Sequence, residues 1–157
     1  MSSEEIKLSN FHCIFFIYHC FATFSDGKLV EGEKKAIMSL LYSWVDDEEK
    51  TKKIIDETIM WIRNNVSSAD EATEFMASMI DFLNENEAFD IYQKEHFLLD
   101  IRNISRADGN FCENEKKWHD MMASQLGVNI RVSELSSNEV KNKVNLTARR
   151  PIGFQLN

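Results

Sequence analysis

Apolar residues recur at steps of three and four along most of the chain, the spacing of a helix that packs on one side. The first such segment follows Ser9, a good N-cap residue, and runs to Ser25. The fourth predicted helix begins after an N-cap at Ser67 or Ser68 and includes residues as far as Leu83. The other predicted helices cover about 31–45, 47–64, 88–107, 113–125 with Gly127 as C-cap, and a short 134–143. The pattern predicts an all-α, single-domain bundle of six or seven antiparallel helices.

Composition agrees with this fold class. Hydrophobic residues make up 43% of the 157 and charged residues 28%, which is typical of a globular chain with a substantial core. Only 5 Gly and 1 Pro are present, and so few breakers favour long helices over strands and turns. The net charge of −8 argues against a nucleic-acid binder, because phosphate contacts need Lys and Arg.

The charge is unevenly spread, because no acidic residue follows Glu139. Segment 141–157 has a charge of +4, which leaves −12 on the predicted helical domain 1–140. Three of its apolar residues alternate as in a short strand: Ile152, Phe154 and Leu156. This basic tail is predicted to be a disordered arm, a strip docked on the acidic body, or a partner-binding segment.

Cysteines and the apolar segment near the N-terminus bear on location. Cys13, Cys20 and Cys112 do not form a disulfide framework and fit free thiols in a reducing compartment. Segment 11–24 is too short to span a bilayer, and its acidic leader does not fit a signal peptide. The sequence therefore predicts a cytoplasmic protein without membrane insertion.

Two other arrangements of His and Cys residues give weaker signals of a metal site or a nucleophile. His12-Cys13 and His19-Cys20 repeat seven residues apart, which suggests zinc, but this spacing is about 10 Å along a helix. Core packing is the favoured reading of these four residues. Cys112 and His119 form a weak nucleophile–base pairing, also seven apart, and no other catalytic motif is present. The sequence therefore favours a non-enzymatic protein.

One short pattern occurs twice, 82 positions apart. Residues 26–37 (DGKLVEGEKKAI) and 108–119 (DGNFCENEKKWH) share six of twelve residues. In each copy Asp-Gly ends one predicted helix, and two glutamates begin the next. We call these corners the two DG turns. The repeat relates helices one and two to helices five and six, so it predicts an approximate two-fold arrangement.

Most of the pattern is explained by two helix–turn–helix corners. Gly27 and Gly109 supply the left-handed residue that ends a helix. Leu29 and Phe111 are the apolar residues of these turns, and their side chains are predicted to pack into the core. Negative charge in a first helical turn is favoured by about 0.3–1 kcal/mol per residue. That accounts for four glutamates: Glu31, Glu33, Glu113 and Glu115.

The aspartates are explained less well, because the helix dipole disfavours an anion at a C-terminal end. Asp26 and Asp108 each fit one of two roles: accepting turn N–H groups, or facing a hard cation together with Glu33 and Glu115. Ca²⁺ and Mg²⁺ both take oxygen ligands of this kind. An EF-hand is excluded, since only one Asp precedes each Gly.

These turns resemble those of the tellurite-resistance TerB family and its relatives, including the TerB-like domain of some DnaJ-type co-chaperones. The family pattern is a helix ending in Ala-Asp-Gly, a hydrophobic residue two positions later, and a Glu-rich helix start. The second turn matches it from Ala107 onward, whereas the first has Ser25 in place of Ala. Val30 and Cys112 stand where the family often has a capping Ser or Thr. The resemblance covers about 10–128, but only the two turns are specific.

The resemblance implies a helical fold with pseudo-two-fold symmetry and an acidic face that binds divalent cations, Ca²⁺ among them. The ligands it implies are Asp26, Glu33, Asp108 and Glu115, with Glu31 and Glu113 in the outer shell. The leading expectation is a non-enzymatic module of the stress-response type that binds Ca²⁺ or Mg²⁺ and acts through partner proteins. The alternative is a metal-independent protein–protein interaction scaffold.

Overall fold

The computed structural model describes residues 8–23, 31–106 and 113–129, without the side chains of 31–33, 106, 113 and 114. Every element in these ranges is helical, which confirms the all-α prediction. The predicted seventh helix, the basic tail and the core of each DG turn lie outside them. The helices are α1 (Asn10–Thr23), α2 (Glu31–Val45), α3 (Glu48–Asn65), α4 (Ala69–Asn84), α5 (Ile91–Arg106) and α6 (Glu113–Leu126).

Helix starts follow the capping residues that the sequence offers. The Asp47 carboxylate accepts the N–H of Lys50 at 2.9 Å and caps α3. The Ser68 hydroxyl accepts the N–H of Glu71 at 3.1 Å, so Ser68 rather than Ser67 caps α4. At the end of α6, Gly127 adopts the left-handed φ of 75° expected of a C-cap glycine. These ends are set locally, which is why sequence patterns predict them.

The predicted start of α5 near Ala88 is wrong by three residues. The chain first makes a turn in which the Phe89 N–H donates to the Asn86 carbonyl at 2.9 Å. Phe89 is 1% exposed, so this turn places its ring in the core before the helix begins. Asp90 then accepts the N–H of Gln93 at 3.0 Å and caps the helix that starts at Ile91.

Helix α1 lies at the centre of the fold and packs against α2, α3, α4 and α5. The sequence predicted a wide apolar stripe on it, whereas nearly its whole circumference is buried. Phe16 and Ile17 are inaccessible as well, at 1% and 0% exposure, although they lie outside the predicted stripe of Phe11, Ile14, Phe15, Tyr18, Phe21 and Ala22. The near-continuous apolar run of α1 is therefore the signature of a helix surrounded by others. One core cluster includes residues from all six helices, and α6 closes it by packing on α4 and α5.

A buried hydrogen-bond network joins α1, α2 and α5. The Tyr18 hydroxyl donates to Asp100 Oδ2 at 2.6 Å. The Trp44 indole N–H lies 2.8 Å from the Tyr18 oxygen and 3.2 Å from the same carboxylate oxygen, so it is shared between them. Asp100 is 3% exposed, and a carboxylate buried to this degree is tolerated only with such donors. The network fixes the relative positions of three helices.

Replacing Tyr18 by Phe tests this network. The change keeps the ring but removes the hydroxyl that donates to Asp100, so the free energy of unfolding should fall by about 1–3 kcal/mol. Tyr42→Phe is the matched control, since Tyr42 is 45% exposed and loss of its hydroxyl should hardly change the free energy of unfolding. Urea denaturation of both variants measures the difference. Equal stabilities would show that the network does not stabilise the fold.

Candidate functional site

The predicted ligands divide into those that the structure describes and those that it does not. Asp26 and Asp108 lie outside the described residues. Helices α2 and α6 begin where the sequence predicted, which places two glutamates in the first turn of each. Of these four, Glu115 alone has a described side chain; those of Glu31, Glu33 and Glu113 lie outside the described part.

Glu115 is almost completely buried, with 1% of its surface exposed. A glutamate that only complements a helix dipole remains in water and contributes about 0.3–1 kcal/mol. Burying a carboxylate costs several kcal/mol before its partners compensate it. The dipole therefore does not account for Glu115. It lies one turn before His119 on α6, and the two side chains share the inner side of that helix.

A hydrogen-bonded chain of ionisable groups joins α5 to α6 at His119, one helical turn from Glu115. Arg102 Nη1 on α5 donates to His119 Nε2 at 2.9 Å. Arginine has no acceptor, so Nε2 carries no proton, and Nδ1–H donates to Asp120 Oδ1 at 3.0 Å. His119 is therefore held as a neutral imidazole with both nitrogens engaged. The geometry does not leave it available as a base for Cys112, which itself lies outside the described residues.

Arg102 places a positive charge inside this corner. Burial lowers the pKa of its guanidinium to about 10, and the charges of Glu95, Asp100 and Asp120 oppose that decrease. With a pKa near 10 the group is still cationic at neutral pH. Arg102 is 6% exposed, so its charge acts in the interior of the α5–α6 corner rather than in water.

The α1–α2 corner differs at the equivalent positions. Alignment of the two copies pairs Arg102 with Cys20 and His119 with Ile37. Cys20 and Ile37 are buried at 4% and 1% exposure. The first corner is therefore apolar where the second is ionic. The acidic pattern is repeated, but the interior behind it is not.

The start of α1 contains a polar cluster that the sequence analysis missed. The Ser9 N–H donates to His12 Nδ1 at 3.0 Å, and the Ser9 hydroxyl lies 2.7 Å from the same nitrogen. The Ser9 hydroxyl is 3.4 Å from the N–H of His12, and His12 Nε2 lies 2.9 Å from Glu57 Oε1 on α3. This is a capping box in which histidine replaces the usual Glu at the fourth position. The signal in the sequence was a serine cap followed three residues later by a polar side chain.

The same groups form a hydroxyl–imidazole–carboxylate series, the order found in activated serine nucleophiles. Here, however, His12 Nδ1 already accepts the backbone N–H of Ser9, so the Ser9 hydroxyl is not its only neighbour. Both Ser9 groups belong to the N-cap of α1. The helix start accounts for all these contacts, so we assign them a structural role.

The repeated His-Cys pairs do not assemble a soft-metal site. Cys13 and Cys20 are buried thiols whose pKa is raised by burial to about 12. Their spacing of seven residues separates the two pairs by about 10 Å along α1, too far for one ion. Both ring nitrogens of His12 are engaged, and burial lowers the pKa of His19. Among the residues that the structure describes, no group of three or more His, Cys, Asp or Glu is arranged to hold a metal.

No family model matches the chain, and no curated protein or solved structure is significantly similar to it. The resemblance to the TerB family therefore depends on the residues of the two DG turns. Within the described ranges, no helix is both long and apolar enough to cross a bilayer.

Removing Arg102 tests whether the interior charge matters. Arg102→Ala should lower the free energy of unfolding by about 3–5 kcal/mol, because it removes the donor to His119 Nε2 and the buried cation whose charge interacts with Asp100 and Asp120. Arg63→Ala is the control, since Arg63 is exposed on α3 and its loss should change stability by less than about 0.5 kcal/mol. Urea denaturation compares them. An Arg102 variant as stable as the control would contradict an ionic role for this corner.

The raised thiol pKa values predict a loss of stability at alkaline pH. Between pH 9 and about 12 the unfolded chain releases the protons of Cys13 and Cys20, while the folded chain retains them. Stability should therefore decrease as pH rises, by up to about 1.4 kcal/mol per pH unit for each thiol. Unfolding free energies from pH 8.5 to 10 should show a shallower decrease in the Cys13→Ala/Cys20→Ala variant. Equal slopes would argue against the raised pKa values.

Proposed function

We propose that this protein is a non-enzymatic helical module that binds a divalent cation, Ca²⁺ or Mg²⁺, through its DG turns and acts through partner proteins. The observation that supports this most directly is the repeated spacing of Asp-Gly and first-turn glutamates in the two DG turns. Of the proposed ligands, Glu115 is the one whose side chain the structure describes, and it is buried. The other proposed ligands are Asp26, Glu33 and Asp108, with Glu31 and Glu113 in the outer shell; sequence alone supports these five.

The proposal includes an approximate two-fold relation between α1–α2 and α5–α6. A two-fold axis brings equivalent positions of two copies together. Tyr18 and Asp100 are separated by 82 residues, the same offset as the two DG turns, and their side chains are 2.6 Å apart. The helices within each pair also pack on one another. These contacts are those expected if Tyr18 and Asp100 lie near such an axis.

The two turns are proposed to differ in affinity. The cationic Arg102 lies on α5, six residues before Asp108. Its positive charge disfavours a second cation nearby. The equivalent position in the first corner is Cys20, which is neutral. We therefore expect Asp26 and Glu33 to bind the ion more tightly than Asp108 and Glu115.

The cellular role proposed is that of the TerB family, a cytoplasmic response to tellurite and related stress. It is supported by the spacing of Asp-Gly, the hydrophobic plug and the first-turn glutamates in both turns.

A metal-independent scaffold is the second candidate, and exposed apolar residues on α2 favour it. Met38 and Tyr42 are 40% and 45% exposed, although side chains of this size are usually buried in a monomer. They lie one helical turn apart, on the side of α2 that adjoins α3. A scaffold of this kind would capture its partner equally well in EDTA.

Calorimetric titration with Ca²⁺ and with Mg²⁺ tests the proposed function. The wild-type chain should bind one of them saturably, and its unfolding free energy should rise by about 2.7 kcal/mol at an ion concentration of 100 times Kd. Asp26→Asn should weaken binding more than Asp108→Asn, and the double variant should abolish it. Each change removes one charge and nearly preserves shape.

Glu48→Gln/Glu49→Gln is the matched control. It removes two exposed acids from the first turn of α3, outside the residues of both DG turns, and should leave the titration unchanged. Absence of saturable binding in the wild type, or unchanged binding in the double Asp variant, would exclude the cation site and favour the scaffold.

A further inference from the structure

A surface groove between α2 and α3 is the feature least explained by the fold. It has a volume of about 300 Å³ and is lined by Met38, Ser39, Tyr42, Glu48, Thr51 and Lys52. We call it the α2–α3 groove. Its most exposed apolar side chains are Met38 and Tyr42, one turn apart along α2. The groove therefore offers two apolar contacts in a row, which suits the alternate side chains of an extended segment.

One end of the groove is strongly acidic. Four consecutive exposed acids lie at the junction of α2 and α3, two in the connection and two in the first turn of α3, and we call them the acidic link: Asp46, Asp47, Glu48 and Glu49. Tyr42 lies at this end, because its carbonyl accepts the N–H of Asp46 at 2.7 Å. At the other end, Lys34 and Lys35 are exposed about one turn before Met38, and Lys52 lines the wall. The groove is thus polarised from acidic to basic.

Asp46 supports a role for the link beyond connecting two helices. Its φ is 58°, the left-handed region that favours glycine. A glycine would end α2 there without the steric cost that a side chain incurs. Aspartate is among the few residues with a side chain that tolerate this conformation. Its distinctive contribution is the negative charge that it places beside the groove.

We propose that the basic tail, segment 141–157, docks in the α2–α3 groove of its own chain. Arg149 and Arg150 lie against the acidic link, and the alternating Ile152 and Phe154 contact the apolar floor. The tail has a charge of +4 and the acidic link −4, so the two are complementary. The polarity of the groove sets the orientation, with the arginines at the Tyr42 end.

The length of the chain permits this docking. Asn129 is the last described residue, and about 20 residues separate it from Arg149. Such a segment spans up to about 66 Å when extended, whereas a domain of this size has a radius of gyration near 14 Å. The tail therefore reaches the groove from any point on the surface. An intramolecular ligand also benefits from a high effective concentration, so modest contacts suffice. The inference is independent of the proposed cation site.

Photo-crosslinking in the full chain tests the proposal. Tyr42 is replaced by p-benzoyl-phenylalanine, and the irradiated monomer is digested and mapped by mass spectrometry. Crosslinks should fall within residues 149–156. Met60 carries the same probe as a control, since it is 51% exposed but lies about half a turn around α3 from Thr51. Its crosslinks to the tail should be at least five-fold fewer. Equal yields at the two positions would overturn the proposal.

Charge variants separate docking from folding. Asp46→Asn and Glu49→Gln together should reduce the Tyr42 crosslink several-fold while leaving the unfolding midpoint unchanged. Arg149→Glu/Arg150→Glu should reduce it similarly, and combining it with Glu48→Lys/Glu49→Lys should restore it. A yield that none of these variants alters would contradict the charge complementarity.

Mixing isotope-labelled and unlabelled chains identifies the occupant. Crosslinks in which both joined peptides carry the same isotope label support docking within the same chain. Mixed crosslinks would show that a second copy occupies the groove, and would replace this proposal. If no crosslinks to the tail form at any salt concentration, the tail does not occupy the groove and the proposal is overturned. The groove would then be available to another protein.

Discussion

The buried carboxylate of Asp100 is the constraint on which the rest of the helical arrangement depends. A charge 3% exposed requires donors, and Tyr18 and Trp44 supply them from two other helices. Three helices must therefore meet at one atom, whereas hydrophobic packing alone would tolerate small shifts between them. Because α1 is otherwise enclosed mainly by apolar neighbours, this polar contact fixes the register of the central helix against α2 and α5.

The interior of the second corner shows how one sequence pattern is used in two ways. Both DG turns are followed by the same glutamates, but Arg102 and His119 lie behind the second and Cys20 and Ile37 behind the first. A carboxylate such as Glu115 can be buried beside an ionic interior at lower cost than beside an apolar one. A duplicated motif therefore does not imply two equivalent sites. The proposed difference in cation affinity follows from this distinction.

Much of the fold could be predicted because the relevant interactions are local. Caps at Asp47 and Ser68 depend on a side chain and an amide three residues away, and the apolar period marks each helix. The start of α5 could not be predicted in this way. Phe89 packs into a core formed by residues distant in sequence, and Asp90 caps the helix only after that turn. Of the candidate site, the sequence indicated the positions but not the burial of Glu115.

The sequence by itself determined the existence of the six helices, the caps at Ser68 and Gly127 and the repeated acidic pattern, since these depend on residues a few positions apart. Only the tertiary structure decided that α1 is central, that Tyr18 bonds Asp100 and that Arg102 bonds His119. The physical reason is that a polar residue on a helix has no preferred long-range partner in its own sequence. Its partner is whichever group packing brings within hydrogen-bond distance once the apolar surfaces are buried.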